Sequence, residues 1–384
     1  MSDRSVARAT DAMWSSNPPD APLGAGLVFG QDGVRRLRKE WDALFARADN
    51  PLASQGFEWN DTAWTSLVMP RGGTPCCVVV RQHEGLRLVW PLAILRHHRA
   101  WRLAVAPAIS ECGDPLIEAG EDQAALAKAA CDALWRHSGA DLVYADFLRA
   151  GSPLHAALSA RAPFFSQDLE SFATDWHDTP GWTDYETGLS KRLRSQVEAS
   201  RRQLAALGTL RVEQVTGAAE LERTIRWIVE TKERWLATKG RHSSFVGQPG
   251  FQDFLTQAAR RMEPSGSAVV FRLTLDDQLV AAEFHLLGPA QLDYVIGAFA
   301  PDQEKHRPGQ LLRLHSLRWA HERRVPLNFG PGRDRYKAAL ANTITRFADL
   351  RCAISLRGRL FARLKALRSV GHAGAGTSAG SVQP

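Results

Sequence analysis

The stretch from Leu279 to Lys337 limits what this chain can fold into more than any other. Two runs rich in β-branched and aromatic residues, LVAAEFHLLG and LDYVIGAFAP, stand between the turn-formers Asp276-Asp277 and Gly288-Pro289 and read as an antiparallel hairpin. A loop ending in Arg307-Pro308-Gly309-Gln310 follows. Beyond it an amphipathic run free of proline reaches Arg324, and a short strand from Leu327 to Phe329 enters the turn Gly330-Pro331-Gly332. A strand, loop and helix in this order point free backbone N–H groups and the positive end of a helix dipole out of the loop, which makes an anion site. Lys305, His306 and Arg307 add cationic side chains beside it. An ordinary strand-to-helix crossover with a basic loop fits the same residues.

Side chains alternate across a strand, so Glu283 and His285 share a face with Ala281 and Leu287. Residues two apart on one strand face stand roughly 6 to 7 Å from each other, enough to flank a reacting hydroxyl or amine. An internally hydrogen-bonded polar pair is the competing reading. No hydrolase elbow, Walker loop or metal-ligand spacing competes elsewhere, and no metal is expected.

The 384 residues exceed what one core usually serves. Residues 1–24 read as a flexible leader, 25–165 and 180–370 as two α/β domains, and 371–384 as a disordered tail. The hairpin from Thr74 to Leu95 resembles the later one at Phe271 to Leu287, so two related halves are expected without a residue-level repeat. Pro153 to Pro180 reads as an irregular connector, and Tyr185 to Gly208 as one helix with Lys191, Arg194, Arg201 and Arg202 turned outward. Phe57, Trp59 and Trp64 read as core and interface aromatics, and Asp114 as holding a proline-containing turn or reaching a substrate hydroxyl.

A net charge of +7 suits an anionic ligand, nucleic acid or a lipid surface without choosing among them. The five cysteines have no CxxC spacing, which points to reduced thiols and the cytoplasm. No apolar run approaches the roughly 20 residues of a membrane helix. The basic amphipathic segment after Gly358 is able to touch a membrane surface, yet it is too short and too lightly apolar to argue anchoring.

The ordered set formed by Ala281-Ala282, the aromatic hairpin, Pro308-Gly309-x-Leu311-Leu312, and Asn328-Phe329-Gly330-x-Gly332-x-x-x-Tyr336-Lys337 resembles the CelD/BcsL-type acetyltransferases of the GNAT superfamily. With the upstream Tyr185 to Gly208 and Trp227 to Trp235 helices, the resemblance spreads over about half the chain. It implies tandem GNAT-like domains with mixed central sheets flanked by helices. The activity implied is acyl transfer from acetyl-CoA or another acyl-CoA to a hydroxyl or amine of a saccharide-type acceptor, in exopolysaccharide or cellulose biosynthesis. The superfamily's phosphate loop carries glycine at two positions after a Gln or Arg; here Arg307, Pro308, Gly309, Gln310, Leu311 and Leu312 stand in its place. Tyr336 is placed to protonate the departing thiolate, with Asp334 and Lys337 beside it, and Lys239 to Phe245, including His242, to form a lid. The acceptor is expected between the domains, with no DNA partner, and a homodimer is compatible. Two alternatives stand: a Fem-like transferase using aminoacyl-tRNA, and a GNAT-fold binding protein without catalysis.

Overall fold

A computed structural model describes residues 23–372 except 84, 99, 109–111, 179–180, 242, 244 and 333–334. Most of the expected leader, the tail beyond residue 372, His242 and Asp334 lie outside the described residues. The chain opens with β1 (Gly24–Phe29), α1 (Gln31–Arg36), α2 (Arg38–Phe45) and α3 (Phe57–Ala63). Next come β2 (Thr74–Gln82), β3 (Gly85–His97), β4 (Trp101–Val105), β5 (Leu116–Ile117), α4 (Gln123–His137) and β6 (Leu142–Arg149). Then follow α5 (Pro153–Ser159), β7 (Phe165–Thr174), α6 (Trp182–Gly188), α7 (Lys191–Ala205), β8 (Leu210–Gln214), α8 (Ala218–Thr238) and α9 (Phe251–Met262). The hairpin strands β9 (Ala268–Leu275), β10 (Gln278–Leu287) and β11 (Leu292–Phe299) precede α10 (Pro308–Glu322) and β12 (Leu327–Pro331). Last are α11 (Arg335–Leu340), β13 (Thr343–Ala353) and α12 (Leu356–His372).

All the strands among the described residues join one 13-stranded mixed sheet, ordered β1-β2-β3-β4-β6-β13-β7-β12-β11-β10-β9-β8, with β5 on β3. The order repeats itself. In the first half an antiparallel series ends in β4, which pairs parallel with β6 after the helix α4. In the second half an antiparallel series ends in β11, which pairs parallel with β12 after the helix α10. The final strands are exchanged: β13 pairs with β6, and β7 with β12. Nine antiparallel pairs between β7 and β13 fuse the two halves.

Pro153 to Pro180 is therefore not an irregular connector, because it holds α5 and the central strand β7. Its alternation was faint because the outer part of β7, Phe165 to Asp168, is exposed. The single helix expected from Tyr185 to Gly208 is broken at Leu189-Ser190, where the Ser190 hydroxyl accepts from Leu193 N–H at 3.2 Å and caps α7. Phe57, Trp59 and Trp64 are core residues, buried to 3% exposure or less. Trp64 donates Nε1–H to the Leu92 carbonyl at 2.8 Å, which satisfies its polar atom inside the core.

Two apolar layers sandwich the second half of the sheet. Ala281, Phe271, Leu292, Leu327 and Phe329 pack under α7 and α10, whereas Ala282, Phe284, Leu286 and Ile296 pack under α8 and α9. The first half docks on the second layer: Trp59 of α3 meets Phe254 of α9 edge to face at 4.6 Å. Asp61, 1% exposed, receives Arg35 from α1 and Arg261 from α9, each at 2.9 Å. Asp114 accepts from the Ser152 hydroxyl at 2.6 Å and from Arg149 N–H at 3.0 Å, tying its turn to β6 and α5.

Candidate functional site

The strands β11 and β12 pair at Leu292↔Leu327 and Asp293↔Asn328, and the pairing stops there. Beyond that point β11 continues to Phe299 while β12 bends into the Gly330-Pro331 turn, with Gly330 at φ 74° and Gly332 at φ 110°. Left-handed backbone of this kind costs little only for glycine. The chain leaves β11 through Pro301 to His306 and starts α10 at Pro308, with Arg307 in the left-handed region at φ 51°. In the first turn of α10 the N–H groups of Gln310 and Leu311 bond to the Arg307 carbonyl at 3.1 and 3.4 Å, and Pro308, which has no N–H, is suited to the opening position, which leaves the Gly309 N–H at the helix start. Arg307 is exposed, and Gly309 and Gln310 are half-buried. Leu311 and Leu312 are core residues under the helix, so only their backbone can face a ligand.

On the α10 face of the sheet, Glu283 and His285 are brought into direct contact, with His285 Nε2 and Glu283 Oε2 3.1 Å apart. That is closer than strand spacing alone implies, and the register of β10 against β11 shifts between Phe284 and His285. Glu283 also accepts from the Ser316 hydroxyl at 2.9 Å and pairs with Arg313 Nε at 3.0 Å. All four residues are buried. Burial works against the Glu283 charge, yet Arg313, His285 and Ser316 together hold its carboxyl below the usual range. Burial pushes the His285 imidazole down against the pull of Glu283, so the ring is neutral at physiological pH. A neutral ring donating from Nε2 to Glu283 leaves Nδ1 as an acceptor, and Nδ1 has no partner among the described residues. The Arg313 guanidinium lies 3.7 Å over the Tyr294 ring and 5.6 Å from that of Tyr336. Tyr336 is 38% exposed and is the outer member of this chain of contacts. Lys337 is turned inward, donating Nζ–H to the carbonyls of Gly330 at 3.3 Å and Pro331 at 2.6 Å.

The opposite face carries a second polar group, which sequence reading missed. Leu292, Leu327, Phe329 and Phe172 point toward α10, so their neighbours Asp293, Asn328 and Ser171 point away from it. Asp293, fully buried, accepts from Asn328 Nδ2 at 3.0 Å and from Gln291 Nε2 at 2.5 Å through one carboxylate oxygen. Ser171 and Gly330 N–H, at 2.7 and 3.0 Å, fix the Asn328 carbonyl oxygen. The other Asp293 oxygen, Oδ2, has no partner among the described residues. Burial pushes this carboxyl up to about 6, against those hydrogen bonds and the charge of Arg149. Asp293 thus sits where β11 and β12 part, with a free oxygen and a pKa suited to taking up a proton near neutral pH. A cavity of about 160 Å³ opens between the halves, lined by Arg71, Ala108, Asp146 and Phe147 from the first and by Phe245 and Phe251 from the second.

Residues 191–338 match the family model for the acetyltransferase (GNAT) domain. The match runs from α7 into α11 and takes in β10, β11, α10 and β12. Among solved structures, FemX aligns over 85% of this chain and 98% of its own, at 11% identity and a TM-score of 0.60. The C-terminal domain of a putative lysylphosphatidylglycerol synthetase from Agrobacterium fabrum covers 87% and 96% at 12% identity, with a TM-score of 0.52. The L-PGS structure from Bacillus licheniformis covers 85% and 96% at 14% identity, with a TM-score of 0.50. At such identities the likeness is one of fold. No curated protein matches the chain.

Proposed function

We propose that the protein is an acyltransferase that moves an acetyl or longer acyl group from acyl-CoA to a hydroxyl or amine of a saccharide-type acceptor, in exopolysaccharide or cell-envelope synthesis. The observation that carries this reading is the parting of β11 and β12 beside the N-terminus of α10, inside the segment that matches the acetyltransferase domain. Arg307 and the backbone from Pro308 to Leu312 bind the donor's phosphates, and the acyl thioester lies in the gap between the strands. The acceptor approaches from the α8–α9 face. Its oxygen or nitrogen attacks the thioester carbon, and its proton passes to Asp293 Oδ2. The carbon–sulfur bond then breaks, and Tyr336 donates its hydroxyl proton to the thiolate, giving an ester or amide and free CoA. Glu283 and His285 hold Arg313 against Tyr294 and Tyr336.

The likeness to FemX favours a second reading, in which the donor is an aminoacyl-tRNA. A transfer assay separates the two. Release of free thiol from acetyl-CoA that depends on an added saccharide supports the first. Transfer of a labelled amino acid from charged tRNA, with no thiol release from any acyl-CoA, overturns it.

A further inference from the structure

The helix α12 carries an apolar stripe that nothing among the described residues covers. Leu356, Leu360, Leu364 and Leu367 are 79%, 55%, 46% and 71% exposed. At 3.6 residues per turn these four fall within about 80° of arc, so they form one continuous line. The opposite side of the helix is fastened to the body. Ser355 starts the helix by accepting from Gly358 N–H at 3.1 Å while donating to Asp141 at 2.5 Å. Gly358 lies so close to the Asp141 carbonyl that an added Cβ would stand 1.9 Å from it. Phe361 is held by Trp101 at 5.0 Å, His97 at 5.6 Å and Phe164 at 6.1 Å. The leucines are therefore displayed outward by a helix whose rotation is fixed.

Charge selects the occupant. Arg357, Arg359, Arg363, Lys365 and Arg368 are all basic, and the segment from Leu356 to His372 holds no acidic residue. On a helical projection Arg359 and Arg363 flank one side of the stripe, and Arg357 the other. A second copy of the chain placed stripe to stripe would set arginines against arginines. A membrane surface containing anionic lipid supplies both an apolar layer for the leucines and phosphates for the arginines. We propose that α12 is an interfacial helix that docks the protein on an anionic membrane surface, lying in the plane of the headgroups with its leucines inserted. As sequence the segment looked too short and too lightly apolar, because the sequence did not reveal that its leucines face outward.

The test is co-sedimentation of the full chain with vesicles of phosphatidylcholine, with and without phosphatidylglycerol. The expected result is binding that needs phosphatidylglycerol and weakens as salt rises. Leu360→Ser with Leu367→Ser should lower it on the order of a hundredfold, and Arg359→Gln with Arg363→Gln about tenfold. All four positions are exposed, so both variants should melt at the wild-type temperature. The proposal is overturned by wild-type protein that stays in the supernatant with anionic vesicles at low salt, or by binding indifferent to the leucine changes. It is equally overturned if sedimentation velocity finds a leucine-dependent dimer that does not bind vesicles.

Discussion

Replacing Asp293 with Asn should make the protein more stable and less active. In the folded state burial raises the Asp293 carboxyl from its ordinary 3.8 to about 6, so the native protein holds this proton more tightly than the unfolded chain does. For an acid with a raised pKa, stability is lost as pH rises from the unfolded value through the folded one. The gap of roughly two units corresponds to about 3 kcal/mol of destabilisation at pH 7 and none below about pH 4. Asn cannot ionise, and its side-chain oxygen can still accept from Asn328 and Gln291. Urea unfolding of both proteins at pH 4, 5.5 and 7 reads the difference. The variant should gain with rising pH up to about 3 kcal/mol, while acyl transfer falls about a hundredfold. In the wild type, kcat/KM should rise through about pH 6, because the base acts deprotonated. A stability difference that does not change with pH, or a variant less stable at pH 7, would refute the argument.

Two further substitutions probe other links. Tyr336→Phe should lower kcat about a hundredfold while donor affinity, read by titration, stays the same; an unchanged kcat would remove Tyr336 from the chemistry. Asp61→Ala should cost about 2 kcal/mol in urea unfolding at pH 7, because Arg35 loses its carboxylate while Arg261 keeps Glu58 and Thr62 at the junction of the halves. Its carboxyl is held below the usual range, by hydrogen bonds from both arginines that outweigh burial, so the difference should shrink as pH falls through that depressed value.

Local pattern carried much of this architecture into the sequence. The hairpin of β9 and β10, the crossover into α10 and the helix α4 were legible because alternation and helical spacing are strong there and turn residues bound them. The exchange of β7 and β13 was not legible, since strand partners far apart in sequence leave no local mark. For the same reason the contact of Glu283 with His285 could be anticipated from one strand, but Arg313 and Ser316 are added from α10. Asp293 was passed over because a lone acid beside a turn reads as solvated. Only Asn328, Gln291 and the parallel strand β12 reveal it as buried. The basic face of α7 is exposed as anticipated, with Leu193, Val197 and Leu204 beneath it.

The central claim, an acyl-CoA donor held at the start of α10, is met most directly by calorimetric titration of acetyl-CoA into wild type, Gly309→Ala and Gly309→Asp. A Cβ at Gly309 would meet Phe299 at 3.4 Å, an ordinary contact, so alanine fits and the aspartate differs mainly by its charge beside the phosphates. Binding is expected in wild type, with a change of no more than a few-fold in Gly309→Ala and a loss on the order of a hundredfold or more in Gly309→Asp. Equal affinity in wild type and Gly309→Asp, or no binding of any acyl-CoA by wild type, would contradict it.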